Sequence, residues 1–489
     1  MLKYLLVFAG GLLFSLLLTP LVRKLAIFLG AVDVPNARKV HQRPIPRMGG
    51  LAVFAAFHVT VLLGLYVFRL GHYPAPLINE QWWKGFLPVS AIIVVLGVCD
   101  DICSLGARFK FLIQLMAALV ATRFGFVIDH VALPWGTSIE LGLLSIPVTM
   151  LWIVGVTNAF NLIDGLDGLA AGIGVLSSLT LAAIALLNQQ VELALLCSVL
   201  AGALAGFLRY NFHPASIFMG DAGSLFVGFT LAVLSIKTSH KSSAAVSVLI
   251  PILAFGLPIM DTLLAMARRF LRAMHVIEQT RGSTYRLFFR GGQSMFEADR
   301  DHIHHRLMQL GITHKNCVIV LYGICTTLGG IAFLLASVRN LNVGLILLAM
   351  GVATVYAVQK LRYQELQWLR NGTLLPLSKL PLLGYQMFQI LIDLALISLA
   401  YYVTYWIHFE GRFEGPVKIC FIETLPVVLL TKVLVFYFTG FYRIKWEHAG
   451  LSDLLRGMRS TLLGCLVAGG VLSCLPLKHC PQAVLIMDF

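Results

Sequence analysis

The stretch LLSIPVTMLWIVGVTNAFNLIDGLDGLAAG, Leu143 to Gly172, decides the fold class. It opens on an uninterrupted apolar run and closes at the start of a second. Between them stand two Asn and two Asp at tight spacing: Asn158, Asn161, Asp164 and Asp167. Apolar runs of this kind recur along nearly the whole chain. A bilayer core about 30 Å thick needs about 20 apolar residues per helix. The 489 residues are 58% hydrophobic and only 12% charged, with a mean hydropathy of +0.85, whereas a soluble domain is about 25% charged. The sequence therefore reads as an all-α polytopic membrane protein.

Working outward from that stretch, spans are expected near 2–22, 49–69, 86–99, 110–127, 141–157, 169–187, 191–208, 224–236, 245–267, 316–337 and 341–358. That makes about eleven transmembrane helices before residue 360, with about three or four more after it. The first run, LLVFAGGLLFSLLLTPLV, is long and lacks a small-residue cleavage pattern, so it reads as a span and not a leader. The nine Cys are scattered, mostly within apolar runs, with no CxxC pair, which argues against a disulfide framework or a zinc site.

The net charge of +14 belongs to the loops. With the N-terminus outside, the loops 23–48, 100–110, 158–168, 209–223, 268–315 and the segment after 359 share one face. They hold roughly 22 Lys and Arg against roughly 7 opposite, which places that face in the cytoplasm by the positive-inside rule. Anionic lipid headgroups account for the basic excess, and no nucleic-acid partner is needed.

The same face collects the chemistry: DVPNARKVHQRPIPRMGG (33–50), CDDICSLGARFK (99–110), NAFNLIDGLDGL (158–169), NFHPASIFMGDAGSL (211–225) and DRDHIHHRL (299–307). Asp100 and Asp101 follow an apolar run directly. At a helix C-terminus they would oppose the dipole, and acids at membrane depth are usually functional. Arg108 and Lys110 close behind add the opposite sign. In NLIDGLDGL, a helical backbone would set Asp164 and Asp167 on one face; the alternative is an Asp N-cap for the next helix. Carboxylate and amide oxygens are what Mg²⁺ selects. Asp221 sits between two glycines, where a capped helix start is again the alternative, and Phe218 stands three residues earlier. His302, His304 and His305 with Arg300 and Arg306 suit a phosphate better than zinc, through charge-assisted hydrogen bonds. Carboxylates for a divalent cation plus basic groups for phosphates is the pairing that phosphoryl transfer needs, and a hydrophobic acceptor can arrive from the bilayer.

At these five motifs, over roughly residues 1–360, the sequence resembles the polyprenyl-phosphate N-acetylhexosamine-1-phosphate transferases, glycosyltransferase family 4. The resemblance implies Mg²⁺-dependent transfer of a sugar 1-phosphate, with GlcNAc expected, from a UDP-N-acetylhexosamine to undecaprenyl phosphate, releasing UMP and initiating a cell-surface glycan. Mn²⁺ is the alternative cation. It implies Asn161 and Asp221 as metal ligands, and Asp100, Asp101, Asp164 and Asp221 as the catalytic set. Lys110, Asn158, Asp167, Phe218, His302, His304, His305 and Arg306 are implied to bind substrate, Asp167 and Phe218 at the uracil. The HIHHR form resembles the GlcNAc branch more than the branch using UDP-MurNAc-pentapeptide, and Ser104 stands where relatives often carry a third acid. The implied location is the bacterial inner membrane, with the site facing the cytoplasm; a homodimer is left open.

Residues 361–385 read as a cytoplasmic linker. Residues 386–489, with spans near 386–408, 418–440 and 460–476, form an accessory module similar to the membrane region that precedes the epimerase or dehydratase domain of polysaccharide-biosynthesis proteins, suited to docking a glycan-assembly partner. No GxGxxG follows, and PQAVLIMDF looks like the start of a further, truncated span. A transporter or flippase would explain the spans and little else, since no internal repeat is found.

Overall fold

A computed structural model describes residues 2–34, 44–70, 82–132, 138–239, 249–279, 302–309, 311–337, 416–443 and 451–474, with short pieces between 393 and 405. The architecture is all-α. Helices run α1 Leu2–Phe28, α2 Gly49–Leu70, α3 Leu87–Cys103, α4 Ala107–Arg123, α5 Ser145–Ile163, α6 Leu169–Leu187, α7 Val191–Asn211, α8 Gly220–Ser239, α9 Leu249–Ala254, α10 Gly256–Gln279, α11 Ile303–Gln309 and α12 His314–Ser337. Two small antiparallel pairs accompany them: β1 Val32–Asp33 with β2 Ile45–Pro46, and β3 His130–Ala132 with β4 Ser138–Glu140. Eight described helices are long and apolar enough to cross a membrane. The expected span 341–358 and the linker 361–385 lie outside the described residues.

The chain divides into two compact units, Met1–Ala273 with Ser283–Tyr363, and Met274–Gly282 with Gln364–Phe489. In the second, α13 Pro416–Phe438 packs on α14 Leu451–Cys474, and Tyr401 donates to Thr424 Oγ1 of α13 (2.9 Å).

Within the first unit α8 is the axis. It is the most buried of the spans and packs on α5, α3, α2 and α6. Small residues make this closeness available, as in membrane bundles generally. A Cβ on Gly50 of α2 would strike the Gly223 backbone, one on Gly97 of α3 would strike Asp221–Ala222, and one on Gly228 of α8 would strike Thr157 of α5. At the periphery α1 lies along α7 through Gly11 and the Gly202-x-x-x-Gly206 pair, whose Cβ positions would meet α1 backbone oxygens of Phe8 and Leu12.

Four sequence expectations change. Asp100 and Asp101 are not in a loop; they form the last turn of α3, which ends at Ser104 in the left-handed region (φ 52°). Asn158 and Asn161 lie on α5, not in the loop that follows it. Asp164 and Asp167 share no helix face: residues 164–168 are a turn, and the N-cap of α6 is Gly168 (φ 78°), with no side-chain cap bond. The expected span 245–267 is broken at Phe255 into α9 and α10. In the first three cases the polar residues lie at or beside a helix end inside the bundle, where neighbouring elements engage them; a surface loop is not required.

Candidate active site

The site is built where α8 begins. A helix N-terminus presents unpaired N–H groups and a partial positive charge. Here Asp101 of α3 supplies the cap: its Oδ1 accepts from Asp221 N (2.9 Å) and its Oδ2 from Ala222 N (3.2 Å). The carboxylate that opposes the dipole of its own helix is thereby stabilised by that of α8. Phe218 and Met219, just before α8, are strapped to the 44–50 segment: Phe218 N donates to Pro46 O (2.8 Å), Gly49 N to Phe218 O (2.9 Å) and Gly50 N to Met219 O (2.8 Å).

Lys110, one turn into α4, donates from Nζ to Asp100 Oδ2 (2.9 Å) and to Asp221 Oδ2 (2.8 Å). Asp100 also accepts from Leu105 N through Oδ1 (2.7 Å). Asn161 of α5 donates from Nδ2 to Ser224 Oγ (2.9 Å), which leaves its Oδ1 as the atom able to ligate. Burial, reinforced by the carboxylates of Asp221, Asp101 and Asp167, pushes Asp164 up to about 8, with Arg47 acting against it. Asp100, Asn161, Asp164 and Asp221 thus converge as oxygen donors, a set whose hardness fits Mg²⁺ and not a soft metal.

A cavity of about 860 Å³ opens on this cluster. Asp101, Asp164, Asp167, Phe218, Asp221 and His305 line it, together with residues the motif reading left unassigned: Arg23, Asp33, Arg47, His213 and His314. Asp33 and Arg47 form an ion pair across the β1–β2 hairpin. Asp167 Oδ2 accepts from Ala215 N (3.1 Å) and pairs with His213 Nδ1 (2.9 Å), whose ring meets His314 Nδ1 at 2.7 Å. Among the described residues these three are the group able to hold a metal through His and Asp. The same Nδ1 of His213 faces both the Asp167 carboxylate and His314 Nδ1.

Other expected site residues lie behind the wall. Asn158 donates to Gln114 Oε1 of α4 (2.6 Å) and to Val154 O (2.8 Å), a helix-to-helix bond away from the cavity lining. His302 pairs with Asp261 of α10 (2.8 Å). His304 is buried against Gly165 and burial holds it down to about 3, so it is a neutral imidazole. Arg306 lies on α11 outside the lining, and Ser104 is exposed at the end of α3. Asp33, Arg47 and His213 sit inside motifs already singled out by their density of polar residues. Asp261 and His314 carry no such local signal, because one is an isolated acid in the apolar first half of a long helix and the other an isolated His at a helix start.

A second cavity of about 450 Å³ is apolar and lies between α5, α8, α9 and α10, with Leu151, Trp152, Val156, Ile252 and Leu263 in its walls.

The family model described as glycosyl transferase family 4 matches residues 83–239. A relative from Bacillus subtilis, named probable undecaprenyl-phosphate N-acetylglucosaminyl 1-phosphate transferase, is 42% identical over 324 residues, covering 66% of this chain and 82% of its own. A decaprenyl-phosphate N-acetylglucosaminephosphotransferase from Mycolicibacterium smegmatis is 34% identical, covering 69% and 82%. An undecaprenyl-phosphate alpha-N-acetylglucosaminyl 1-phosphate transferase from Salmonella typhi is 28% identical, covering 65% and 80%.

Proposed function

Since the chain belongs to glycosyl transferase family 4, among the polyprenyl-phosphate N-acetylglucosamine-1-phosphate transferases, we propose that its cavity takes UDP-GlcNAc as donor and Mg²⁺ as cofactor. GlcNAc 1-phosphate passes to undecaprenyl phosphate and UMP leaves. The observation that carries this reading is the Lys110 ammonium set between Asp100 and Asp221, of which Asp221 lines the cavity, with Asn161 bonded to Ser224 of the same helix.

An oxygen of the lipid phosphate attacks the β-phosphorus of the UDP-sugar; the new P–O bond forms as the bond to the bridging oxygen breaks, and that oxygen departs on UMP. Catalysis of such a step is mostly positioning and charge neutralisation. Asp221 and Asn161 would hold Mg²⁺, which supplies neutralisation of the pyrophosphate oxygens when bound. Lys110 offers a fixed positive charge to the phosphates, and Asp100 positions the lipid phosphate. That phosphate, with a second pKa of about 6, is already largely ionised at neutral pH and needs no strong base. Asp167 and Phe218 would hold the uracil, with His213 and Ala215 N fixing one Asp167 oxygen. Arg23, Arg47 and His305 add positive or donor character to the cavity wall. The apolar groove along α5 and α10 suits the prenyl chain of the acceptor. The basic loops at this end support a cytoplasmic site in the bacterial inner membrane.

The test is UMP release by purified protein with undecaprenyl phosphate, Mg²⁺ and, in turn, UDP-GlcNAc, UDP-GalNAc and UDP-MurNAc-pentapeptide. Release is expected with UDP-GlcNAc, abolished by chelation and reduced at least ~10³-fold in Asp221→Ala. Full turnover in that variant would remove Asp221 from the metal site, and release with only the pentapeptide donor would overturn the donor assignment.

A further inference from the structure

Asp261 is an acid on α10 only 1% exposed, and no step of the transfer uses it. A buried carboxylate is retained when it is paired and hydrogen-bonded, and this one is committed across a long stretch of sequence. Its Oδ2 lies 2.8 Å from His302 Nδ1 and its Oδ1 accepts from Ile303 N at 2.9 Å. One side chain of α10 therefore fixes the ring of His302 and caps the start of α11. From there the histidine rings follow one another in contact. The rings of His302 and His304 are nearly parallel (4°) with centroids 5.7 Å apart, and His304 and His305 follow at 4.4 Å. His304 occupies the space above Gly165, where a Cβ would collide with its ring, so it bears on the turn that carries Asp164 and Asp167. His305, next in line, faces the cavity.

We propose that Asp261 is a positioning residue for the donor side of the site: it sets the register of residues 302–305, so that His305 enters the cavity and His304 supports the Asp164–Asp167 turn. The role rests on the transferase reading above. It also gives α10 two duties within one turn, because Thr262 and Leu263 line the apolar groove while Asp261 holds the histidines. Losing the carboxylate leaves the groove residues in place and frees the α11 start, so the effect falls on the donor and not on the lipid.

The experiment uses full-length protein and four variants: Asp261→Asn, Asp261→Ala, His302→Ala and the double variant Asp261→Ala/His302→Ala. Two readouts are taken. The first is UMP release with UDP-GlcNAc and undecaprenyl phosphate varied separately. Asp261→Ala is expected to lower kcat/KM for the donor by about 10- to 100-fold, the range found when a supporting hydrogen bond behind a site residue is removed, with the acceptor KM within about twofold. Asp261→Asn, which keeps an oxygen for Ile303 N, recovers most of the loss. The double variant is no worse than the poorer single, because the pair acts as a unit. Equal loss toward both substrates, or additive losses, overturns the proposal. The second readout is independent of turnover: the rate at which diethyl pyrocarbonate modifies His304, followed by mass spectrometry. It is slow in the wild type and in Asp261→Asn, and at least about tenfold faster in Asp261→Ala, since freeing the start of α11 lets the buried ring open to solvent; an unchanged rate overturns the proposal. A wild type that releases no UMP overturns the transferase reading instead, and the modification rates still decide whether Asp261 holds the histidines.

Discussion

At the scale of the residue, burial decides which polar groups do chemistry and which hold others in place. The His304 imidazole is pressed against Gly165, and withdrawal from water holds its pKa down to about 3, far below the ordinary value of 6.5. The unfolded chain therefore binds more protons between those values. Stability from this residue is complete above about pH 6.5 and is lost as the pH falls toward 3, by at most about 1.4 kcal/mol per pH unit. Thermal midpoints of the wild type should drop on acidification below pH 6.5, and those of His304→Asn should drop less steeply; parallel curves would contradict the burial argument. The acids Asp100, Asp101, Asp164 and Asp221 were legible in the sequence because each stood beside an apolar run. Their partners were not legible, since nothing in the sequence separates Asp101, which caps α8, from Asp100, which binds Lys110.

At the scale of the element, helix ends are set by what the neighbouring helix offers. The three helices α2, α3 and α8 close on one point through Gly50, Gly97 and Gly223. Gly97→Ala drives a methyl into the Asp221–Ala222 backbone, and because α8 is packed on four sides the displacement falls on the Asp221 carboxylate. UMP release should fall at least ~100-fold, as a misplacement near 1 Å does elsewhere. Gly330→Ala, on α12 with open space around it, should leave activity unchanged and raise the thermal midpoint slightly through helix propensity. Equal activity in the two variants would show that the approach at Gly97 does not set the site. The run VVLGVCDD reads as an ordinary span with an acidic end, and the reason for its glycine emerged only when α8 was found against it.

At the scale of the whole molecule, every residue lining either cavity belongs to the first unit, Met1–Ala273 with Ser283–Tyr363. A chain ending at Tyr363 is expected to release UMP at within about threefold of the full-length rate; a loss beyond ~30-fold would give residues 364–489 a part in the reaction. The α13–α14 pair brings its own buried cluster, with Tyr401, Tyr405 and Val428 inside it, so its packing is satisfied locally.

The sequence by itself determined the all-α membrane class, the approximate spans and the end of the bundle where the polar motifs gather. Each of these is written in local composition: a bilayer requires continuous apolar runs, and charge at depth is costly. The tertiary structure alone decided which carboxylate caps and which binds, that Asn158 bonds Gln114 of α4, that His213 pairs with Asp167 and meets His314, and that Asp261 holds the histidine segment. Apart from Asp100 and Lys110, 10 positions apart, these are pairings between residues 41 to 120 positions apart. Hydrogen bonding of that kind depends on angles and separations that packing sets, and no local pattern encodes them.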